Sequence, residues 1–129
     1  MTHCFPVRVY FEDTDLAGIV YYANYLKFIE RGRTEFVTAR GIDQAALQEA
    51  TGIVFAVRRV EADYLSPAKF GDDLVVETEV EVVKGASLVM LQRVTRGGKV
   101  LFSARVVLVA INRAGVAARL PADIRRLLV

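Results

Sequence analysis

An acidic turn stands directly before a predicted long helix and could support acyl chemistry. Asp15 lies in the turn at residues 12–18, which is built from acids, Thr and Gly, and the helix is predicted to begin near Ala23. A helix start offers N–H groups without acceptors and a partial positive charge. Such groups can hold a carbonyl oxygen while a carboxylate attacks the carbonyl carbon or deprotonates a water. The pattern therefore indicates acyl transfer, although an Asp before a helix is commonly a cap.

A thioester is the acyl compound that best suits so few catalytic groups. Its leaving group is a thiolate, and a free thiol has a pKa of about 8.5, so its departure needs little help from a general acid. The chain has one histidine, His3, and neither a G-x-S-x-G segment nor a glycine-rich nucleotide loop. These absences disfavour a histidine-based triad, a histidine-dependent dehydratase and a nucleotide-binding enzyme.

Length and composition fit one folded domain over residues 1–129, with 53% apolar and 25% charged residues. The single cysteine, Cys4, excludes an internal disulfide and a cysteine-based zinc site, so we expect a reducing compartment, no metal and no cofactor. We expect His3 and Cys4 to lie at a mobile terminus with little functional weight. The N-terminus has no apolar stretch of signal-peptide length, and the longest apolar run, residues 106–111, is too short to cross a bilayer. We therefore predict a cytoplasmic protein without stable membrane insertion.

Apolar periodicity predicts one strand, a long helix and then four strands. Asn24 is the expected N-cap of the long helix, and Gly41 follows its end. Short turns between the later strands make them antiparallel neighbours. The predicted elements are a strand at residues 7–11, the long helix at 23–40, a short helix at 43–49 capped by Asp43, strands at 53–65, 74–83, 87–96 and 100–112, and a terminal helix at 121–129.

The apolar residues of the long helix predict how it packs. Gly32 lies in mid-helix, where it costs about 1 kcal/mol relative to Ala, so we expect a strand to approach the helix closely there. Residues 88–91 and 106–111 are apolar on both strand faces, and one helix covers only one face of a sheet, so a second copy of the chain is expected on the remaining apolar area. The predicted helix stripe consists of Tyr22, Tyr25, Leu26, Ile29, Phe36 and Val37.

Charge is distributed unevenly along the chain, whose formal net charge is +2. Residues 1–83 carry 8 basic and 14 acidic side chains, whereas residues 84–129 carry 9 basic and 1 acidic. We interpret this as pairing between strands of the two halves, which neutralises their exposed faces. Nucleic-acid binding by the basic half is the weaker interpretation, because the basic residues are spread along strands without a recognition motif. We expect no nucleic-acid partner.

Three segments carry a resemblance to a known family. Residues 10–33 read YFEDTDLAGIVYYANYLKFIERGR, residues 64–68 read YLSPA and residues 86–89 read ASLV. The first segment closely resembles the opening signature of the hotdog-fold acyl-CoA thioesterases of the YbgC and 4-hydroxybenzoyl-CoA thioesterase type. The later two are similar to YbgC-type stretches, so the resemblance covers nearly the whole chain.

The resemblance implies a fold, an activity and a site. The fold is an α+β hotdog, in which a curved antiparallel sheet of about five strands wraps a long helix, and the chains form dimers or homotetramers with substrate clefts at the dimer interface. Asp15 matches the catalytic carboxylate, as nucleophile or general base. The backbone N–H of Tyr22 matches the group that polarises the thioester carbonyl, and Gly18 matches the glycine beside the substrate. The reaction would be hydrolysis of an acyl-CoA to the free acid and CoA.

Three further residues are candidates for substrate binding, and each also has an ordinary structural explanation. Glu30 could line the acyl pocket, although a solvated helix acid is the commoner case. Lys84 and Ser87 could contact the phosphate or pantetheine part of CoA, although a turn lysine is usually just solvated. Tyr22 stands where some YbgC-type enzymes have a histidine, which leaves a backbone role but no imidazole.

The resemblance also leaves alternatives open. A non-catalytic adaptor of the same fold, associated with the Tol–Pal envelope system or with acyl carrier protein, is the alternative to an enzyme. Acyl carrier protein is also a possible partner in place of free CoA. The acyl chain, whether short aliphatic, long or aryl, is not determined by the residues.

Overall fold

The structure is a computed structural model that describes residues 2–129. Five strands form one antiparallel sheet in the order β1-β3-β4-β5-β2, and helix α1 packs on the face of β1, β3 and β4. The elements are β1 (His3–Arg8), α1 (Asn24–Ala39), α2 (Gln44–Thr51), β2 (Val54–Tyr64), β3 (Asp73–Val83), β4 (Ser87–Arg96), β5 (Lys99–Ile111) and α3 (Ala122–Leu128). This is the α+β hotdog architecture that the resemblance implied, with one long helix held by a curved sheet.

The core lies between α1 and the sheet and is dominated by large apolar side chains. Phe28 and Phe36 of α1 and Phe102 of β5 are almost fully buried. Burying each of these side chains contributes on the order of 1.5–3 kcal/mol to the stability of the fold. Among the described residues, no helix combines the length and the apolar character that crossing a membrane requires.

Gly32 brings α1 close to β3, as the sequence predicted. A Cβ at Gly32 would lie 2.4 Å from Cγ1 of Val76 and 3.3 Å from Oγ1 of Thr78. Val76 and Thr78 are fully buried, so neither side chain can move into solvent. Because Gly32 has no side chain, the middle of α1 can lie directly against Val76 and Thr78 of the sheet.

The first strand differs from its prediction. The sequence placed it at residues 7–11, with His3 and Cys4 in a mobile terminus. Instead β1 spans His3–Arg8 and pairs with β3, with His3 opposite Thr78. Phe11 belongs to a 3₁₀ turn, Phe11–Asp13, because the Asp13 carboxylate accepts a hydrogen bond from the Tyr10 N–H at 2.8 Å. Pairing with β3 therefore extends the strand toward the N-terminus, and the Asp13–Tyr10 bond ends it before Phe11, although the apolar pattern had predicted a strand at residues 7–11.

The apolar stripe of α1 is only partly buried within the chain. Tyr25, Ile29, Phe36 and Val37 are buried as expected, and Phe28 joins them. Tyr22 and Leu26 are 62% and 41% exposed. The stripe therefore leaves an apolar surface near the start of the helix.

The charge asymmetry corresponds to pairing between strands, as interpreted from the sequence. Arg93 of β4 bonds Glu77 of β3 at 2.8 Å, and Arg105 of β5 contacts Glu81 at 2.9 Å. These pairs are partly solvated, so each contributes roughly 0–1 kcal/mol. Their main consequence is that acidic and basic halves of the chain neutralise each other on one sheet face.

Candidate active site

The turn that carries Asp15 is a tight loop closed by backbone bonds. Thr14 and Val20 form an antiparallel bridge, and the Asp15 N–H donates to the Ile19 carbonyl at 2.9 Å. Gly18 has a φ of 78°, a left-handed conformation that glycine adopts without steric cost. Nothing lies within 4 Å of the position of a Cβ on Gly18, so the backbone there is open to an approaching molecule.

The Asp15 side chain is exposed, and one of its two carboxylate oxygens accepts a hydrogen bond. One carboxylate oxygen accepts a hydrogen bond from the Ala17 N–H at 2.9 Å, which fixes the direction of the side chain. The other oxygen has no donor within residues 2–129. The carboxylate is therefore held in place with one oxygen available to react.

The carbonyl of Asp13 ties this turn to the start of α1. It accepts the Tyr21 N–H at 2.9 Å and the side-chain amide of Asn24 at 2.9 Å. The predicted N-cap is therefore wrong: Ala23 occupies the cap position, and Asn24 is the first helical residue. Its side chain bonds back to the turn because the turn folds over the helix start.

The Tyr22 N–H has a fixed direction and no acceptor within the described part of the chain. Its peptide plane is held because the Tyr21 carbonyl accepts the Asn24 N–H at 2.8 Å. The next carbonyl, that of Tyr22, accepts the hydroxyl of Tyr64 at 2.9 Å. The N–H therefore stands at the positive end of the α1 dipole, ready to donate to a carbonyl oxygen.

A mostly apolar cleft of about 300 Å³ lies beside this N–H. Tyr25 stacks on Phe102 with ring centroids 5.0 Å apart, and its hydroxyl accepts the Ala68 N–H at 3.0 Å. Burial raises the pKa of Tyr25, and burial also raises the pKa of Tyr64, so both phenols stay protonated at neutral pH. The lining residues are Ile19, Val20, Tyr22, Tyr25, Tyr64, Leu65, Ser66 and Pro67.

Tyr64 is the site residue for which sequence reasoning found no role. It lies 42 positions from Tyr22 and holds the Tyr22 carbonyl in place. The only signal in the sequence was that Tyr64 opens the segment at residues 64–68 that resembles the family. Strand periodicity alone reads Tyr64 as an ordinary strand residue.

Glu30 lies outside this cleft in the single chain. Its carboxylate accepts the hydroxyl of Thr34, and both residues line a second cleft of about 220 Å³ further along α1. Eight helical positions from Tyr22 to Glu30 correspond to about 12 Å along the axis. The structure therefore does not bring Glu30 to Asp15 within one chain.

Lys84 and Ser87 lie at the opposite end of the sheet from Asp15. The Asp15 turn is bonded near the start of β3, through the Val20 N–H to the Ala68 carbonyl, whereas Lys84 follows the end of β3. The eleven residues of β3 span about 35 Å. Within one chain, Lys84 and Ser87 therefore cannot contact the group that Asp15 attacks.

Lys84 has basic neighbours at that end. The Lys84 N–H donates to the Ser87 carbonyl at 2.7 Å, and Arg125 donates to the Lys84 carbonyl at 2.6 Å. The guanidinium of Arg119 packs over Gly85. The turn is thus an exposed, positively charged corner of the molecule.

A long helix clasped by a five-stranded antiparallel sheet, with a carboxylate turn folded over the helix start, defines the hotdog class. The chain belongs to the thioesterase-like superfamily, whose family model matches residues 9–128.

Relatives and solved structures agree with this membership. The chain is 44% identical over 108 residues to the acyl-CoA thioesterase YbgC of Haemophilus influenzae, which covers 84% of this chain and 79% of that protein. It is 37% identical to a probable thioesterase from Bartonella henselae, with a TM-score of 0.90 over 94% of this chain and 100% of that one. A 4-hydroxybenzoyl-CoA thioesterase in complex with 4-hydroxybenzoyl-CoA has a TM-score of 0.93 over 99% of both chains at 23% identity, a likeness of fold alone.

Proposed function

We propose that this chain hydrolyses the thioester of an acyl-CoA to the free acid and CoA. The observation that carries the proposal is the Tyr22 N–H, which is fixed in direction, lacks an acceptor within residues 2–129 and borders an apolar cleft at the start of α1. The turn that carries Asp15 is bonded to the same helix start through the Asp13 carbonyl, which supports Asp15 as the carboxylate of the site. The printed activity of the YbgC relative supports the same reaction.

The chemistry follows from these two groups. The thioester oxygen accepts the Tyr22 N–H, and the open backbone at Gly18 lets the substrate approach the turn. Either the free oxygen of Asp15 attacks the carbonyl carbon and forms an anhydride that water then hydrolyses, or Asp15 takes a proton from the water that attacks. In both routes the C–S bond breaks and the thiolate leaves without a strong acid.

Replacing Asp15→Asn tests the proposal. An Asn oxygen still accepts the Ala17 N–H, so the turn keeps its shape, but the amide is neither a good nucleophile nor a base. We expect kcat to fall roughly 10²- to 10⁴-fold on any acyl-CoA that the protein hydrolyses, the range for loss of a positioned acid–base group. Steady-state release of CoA thiol, with circular dichroism as a folding check, measures this.

Glu12→Gln is the matched control, since Glu12 is an exposed acid of the same segment. It should leave kcat within twofold of the unmodified protein. Full activity of Asp15→Asn on every hydrolysed acyl-CoA would refute the proposed role of Asp15. A solvent oxygen found in the Asp15 carboxylate after a single turnover in H₂¹⁸O would demonstrate the nucleophilic route, because it enters only when water attacks the Asp15 carbon of the anhydride.

We also propose that the working unit contains at least two copies joined along β2. This strand is a sheet edge of eleven residues, a length that invites pairing with another strand. Val57, Val60 and Tyr64, on the face of β2 that looks toward the helices, are 49%, 37% and 48% exposed. They form an apolar strip beside an open edge, which a second copy would cover.

Pairing of two β2 edges around a two-fold axis is antiparallel, and this brings distant residues together. The Tyr64 end of β2 lies near Tyr22, whereas the Val54 end pairs with Ile111, near the Lys84–Ser87 turn. In the pair, the second copy's Lys84 and Ser87 come to the Tyr22 side of the first. They can then bind the CoA portion, and Glu30 of the second copy can line the acyl cleft.

Sedimentation of the protein and of Val60→Glu checks the pairing. The substitution places a charge on the apolar strip, so we expect it to give monomers and to lose most turnover while retaining its circular dichroism. Val116→Glu, at an exposed position of the last loop, is the control and should remain associated. A fully active monomeric wild-type protein would contradict the proposal; the measured mass also separates a dimer from a homotetramer.

We also propose a cellular location and a second acyl donor for the protein. The exposed free thiol of Cys4 suits a reducing compartment, and we propose the cytoplasm. We propose residues 1–129 as one functional domain. Acyl carrier protein is the candidate second donor of the acyl group, and the same thiol-release assay with acyl carrier protein thioesters tests it.

A further inference from the structure

Arg33 of α1 is a half-buried cation without a carboxylate partner among residues 2–129. No ion pair within 4.0 Å involves it. One of its terminal nitrogens donates to the side-chain oxygen of Gln92 at 3.1 Å. Burial lowers the pKa of Arg33 because the guanidinium loses water, and the charge of the Glu30 carboxylate, three residues earlier on α1, acts in the opposite direction.

Gln92 holds this guanidinium in one place. Gln92 is 1% exposed, and its NH₂ group donates to the Ile29 carbonyl at 2.8 Å and to the Thr78 hydroxyl at 2.9 Å. The orientation of the amide is thereby set, and its oxygen is directed at Arg33. A buried polar network of this kind costs free energy when it is incomplete, so its members hold each other in position.

The guanidinium reaches the second cleft, of about 220 Å³, whose walls are mainly apolar. A guanidinium has five N–H donors, and only one is engaged within the described residues. Glu30 lines the same cleft, where its carboxylate accepts the Thr34 hydroxyl and lies more than 4.0 Å from the nitrogens of Arg33. The other lining residues are Thr34, Val37, Gln44, Phe55, Val57, Leu88, Met90, Leu108 and Leu128.

This cleft and the candidate active site are two separate clefts that lie at different parts of α1 and β2. Arg33 and Phe55 line the second cleft, whereas Tyr22 and Tyr64 line the first. In the antiparallel pair described above, the Phe55 end of one copy lies beside the Tyr64 end of the other. In that proposed pair, an acyl group held at the Tyr22 N–H would extend toward the second copy's Arg33.

We propose that Arg33 determines acyl specificity by binding a carboxylate at the far end of the acyl group, so that the preferred substrates are CoA monothioesters of short dicarboxylic acids. This inference rests on the proposed thioesterase function. A carboxylate matches the forked geometry of a guanidinium and would form the direct ion pair that Glu30 does not make with Arg33. An alkyl end would instead remove water from a cation and give no partner in return, which is unfavourable.

The test compares pairs of CoA thioesters of equal carbon number: succinyl with butyryl, glutaryl with pentanoyl, and adipyl with hexanoyl. At one or more lengths, the wild-type kcat/KM for the dicarboxylic member should exceed that for its partner by roughly tenfold or more, the usual effect of a hydrogen bond to a charged group. In Arg33→Met this ratio should fall roughly 10- to 100-fold, mainly through KM. Arg33→Lys should give an intermediate ratio, because the charge stays and the fork is lost.

The ratio is taken within one variant, so a loss of folded protein cancels. Lys27→Met removes a positive charge from an exposed position of the same helix and should leave the ratio unchanged. A wild-type ratio of one or less at all three lengths, or an equal loss on both members in Arg33→Met, would overturn the inference. Hydrolysis that depends on Asp15 but ignores the carboxylate defeats this inference alone, whereas no hydrolysis of any acyl-CoA defeats the proposed function.

Discussion

The start of α1 and its middle differ in whether their polar groups have hydrogen-bond partners. At the first turn, the Tyr22 N–H has no acceptor within residues 2–129 and Asp15 is exposed. At the middle, Gly32 lies against β3, and the buried amide of Gln92 bonds the helix backbone at Ile29. The helix is thus anchored by close packing and by the buried amide of Gln92 where it crosses the sheet, whereas the N–H of Tyr22 is left without an acceptor at its start.

The comparison explains how an exposed site can be precise. An N–H directed at a carbonyl oxygen works only if its helix does not move. The contact of Gly32 with Val76 fixes where the helix lies, and the Tyr64 hydroxyl fixes its first carbonyl. Stability and activity should therefore respond separately to changes at the two regions, and Asp15→Asn should show the largest loss of activity with the smallest loss of stability.

Gly32→Ala should show the reverse behaviour. The added methyl group would lie 2.4 Å from Val76, and overpacking of this kind costs about 1–3 kcal/mol. The better helix propensity of Ala returns about 1 kcal/mol. We expect the free energy of unfolding, measured in urea, to fall by up to about 2 kcal/mol. Gly32→Ala with Val76→Ala should show positive coupling, because the smaller side chain makes room; a net gain of stability in the single variant would show that the close approach is not fixed.

Tyr64→Phe should lower activity much less than Asp15→Asn does. The ring contacts with Tyr22 and Phe102 remain, and only the hydroxyl bond to the Tyr22 carbonyl is lost. Such a bond contributes about 1 kcal/mol, so kcat/KM should fall roughly fivefold. Tyr21→Phe is the control, because the Tyr21 hydroxyl has no bond within the described residues. Equal effects of the two substitutions would mean that the Tyr64 hydroxyl does not position the helix start.

Much of the fold could be predicted from local patterns. The period of apolar residues located α1 and the four later strands within a residue or two, and Asp43 caps α2 through the Ala46 N–H at 3.0 Å as predicted. The first strand was placed too late, because its partner positions on β3 and the 3₁₀ turn depend on contacts that the apolar pattern of residues 7–11 does not contain. Local signals predict elements well and their ends less well.

The candidate site was predictable only in part. An acid before a helix can be read directly from the sequence, and Asp15 was predicted in that way, whereas the Tyr22 N–H was assigned only through the family resemblance. The role of Asn24 was mistaken because a cap residue and a residue that bonds back to a preceding turn look alike in sequence. Lys84 and Ser87 were grouped with Asp15 by resemblance, and only the length of β3 shows that one chain cannot bring them together.

The sequence by itself determined the order of helix and strands and the presence of a carboxylate before the long helix, because each depends on neighbours within a few residues. The tertiary structure alone decided that Tyr64 holds the Tyr22 carbonyl and that Gln92 holds Arg33, contacts between residues 42 and 59 positions apart. Such contacts depend on the register of the sheet and on where the helix lies on it. They arise when the whole core packs, and no local pattern of residues contains them.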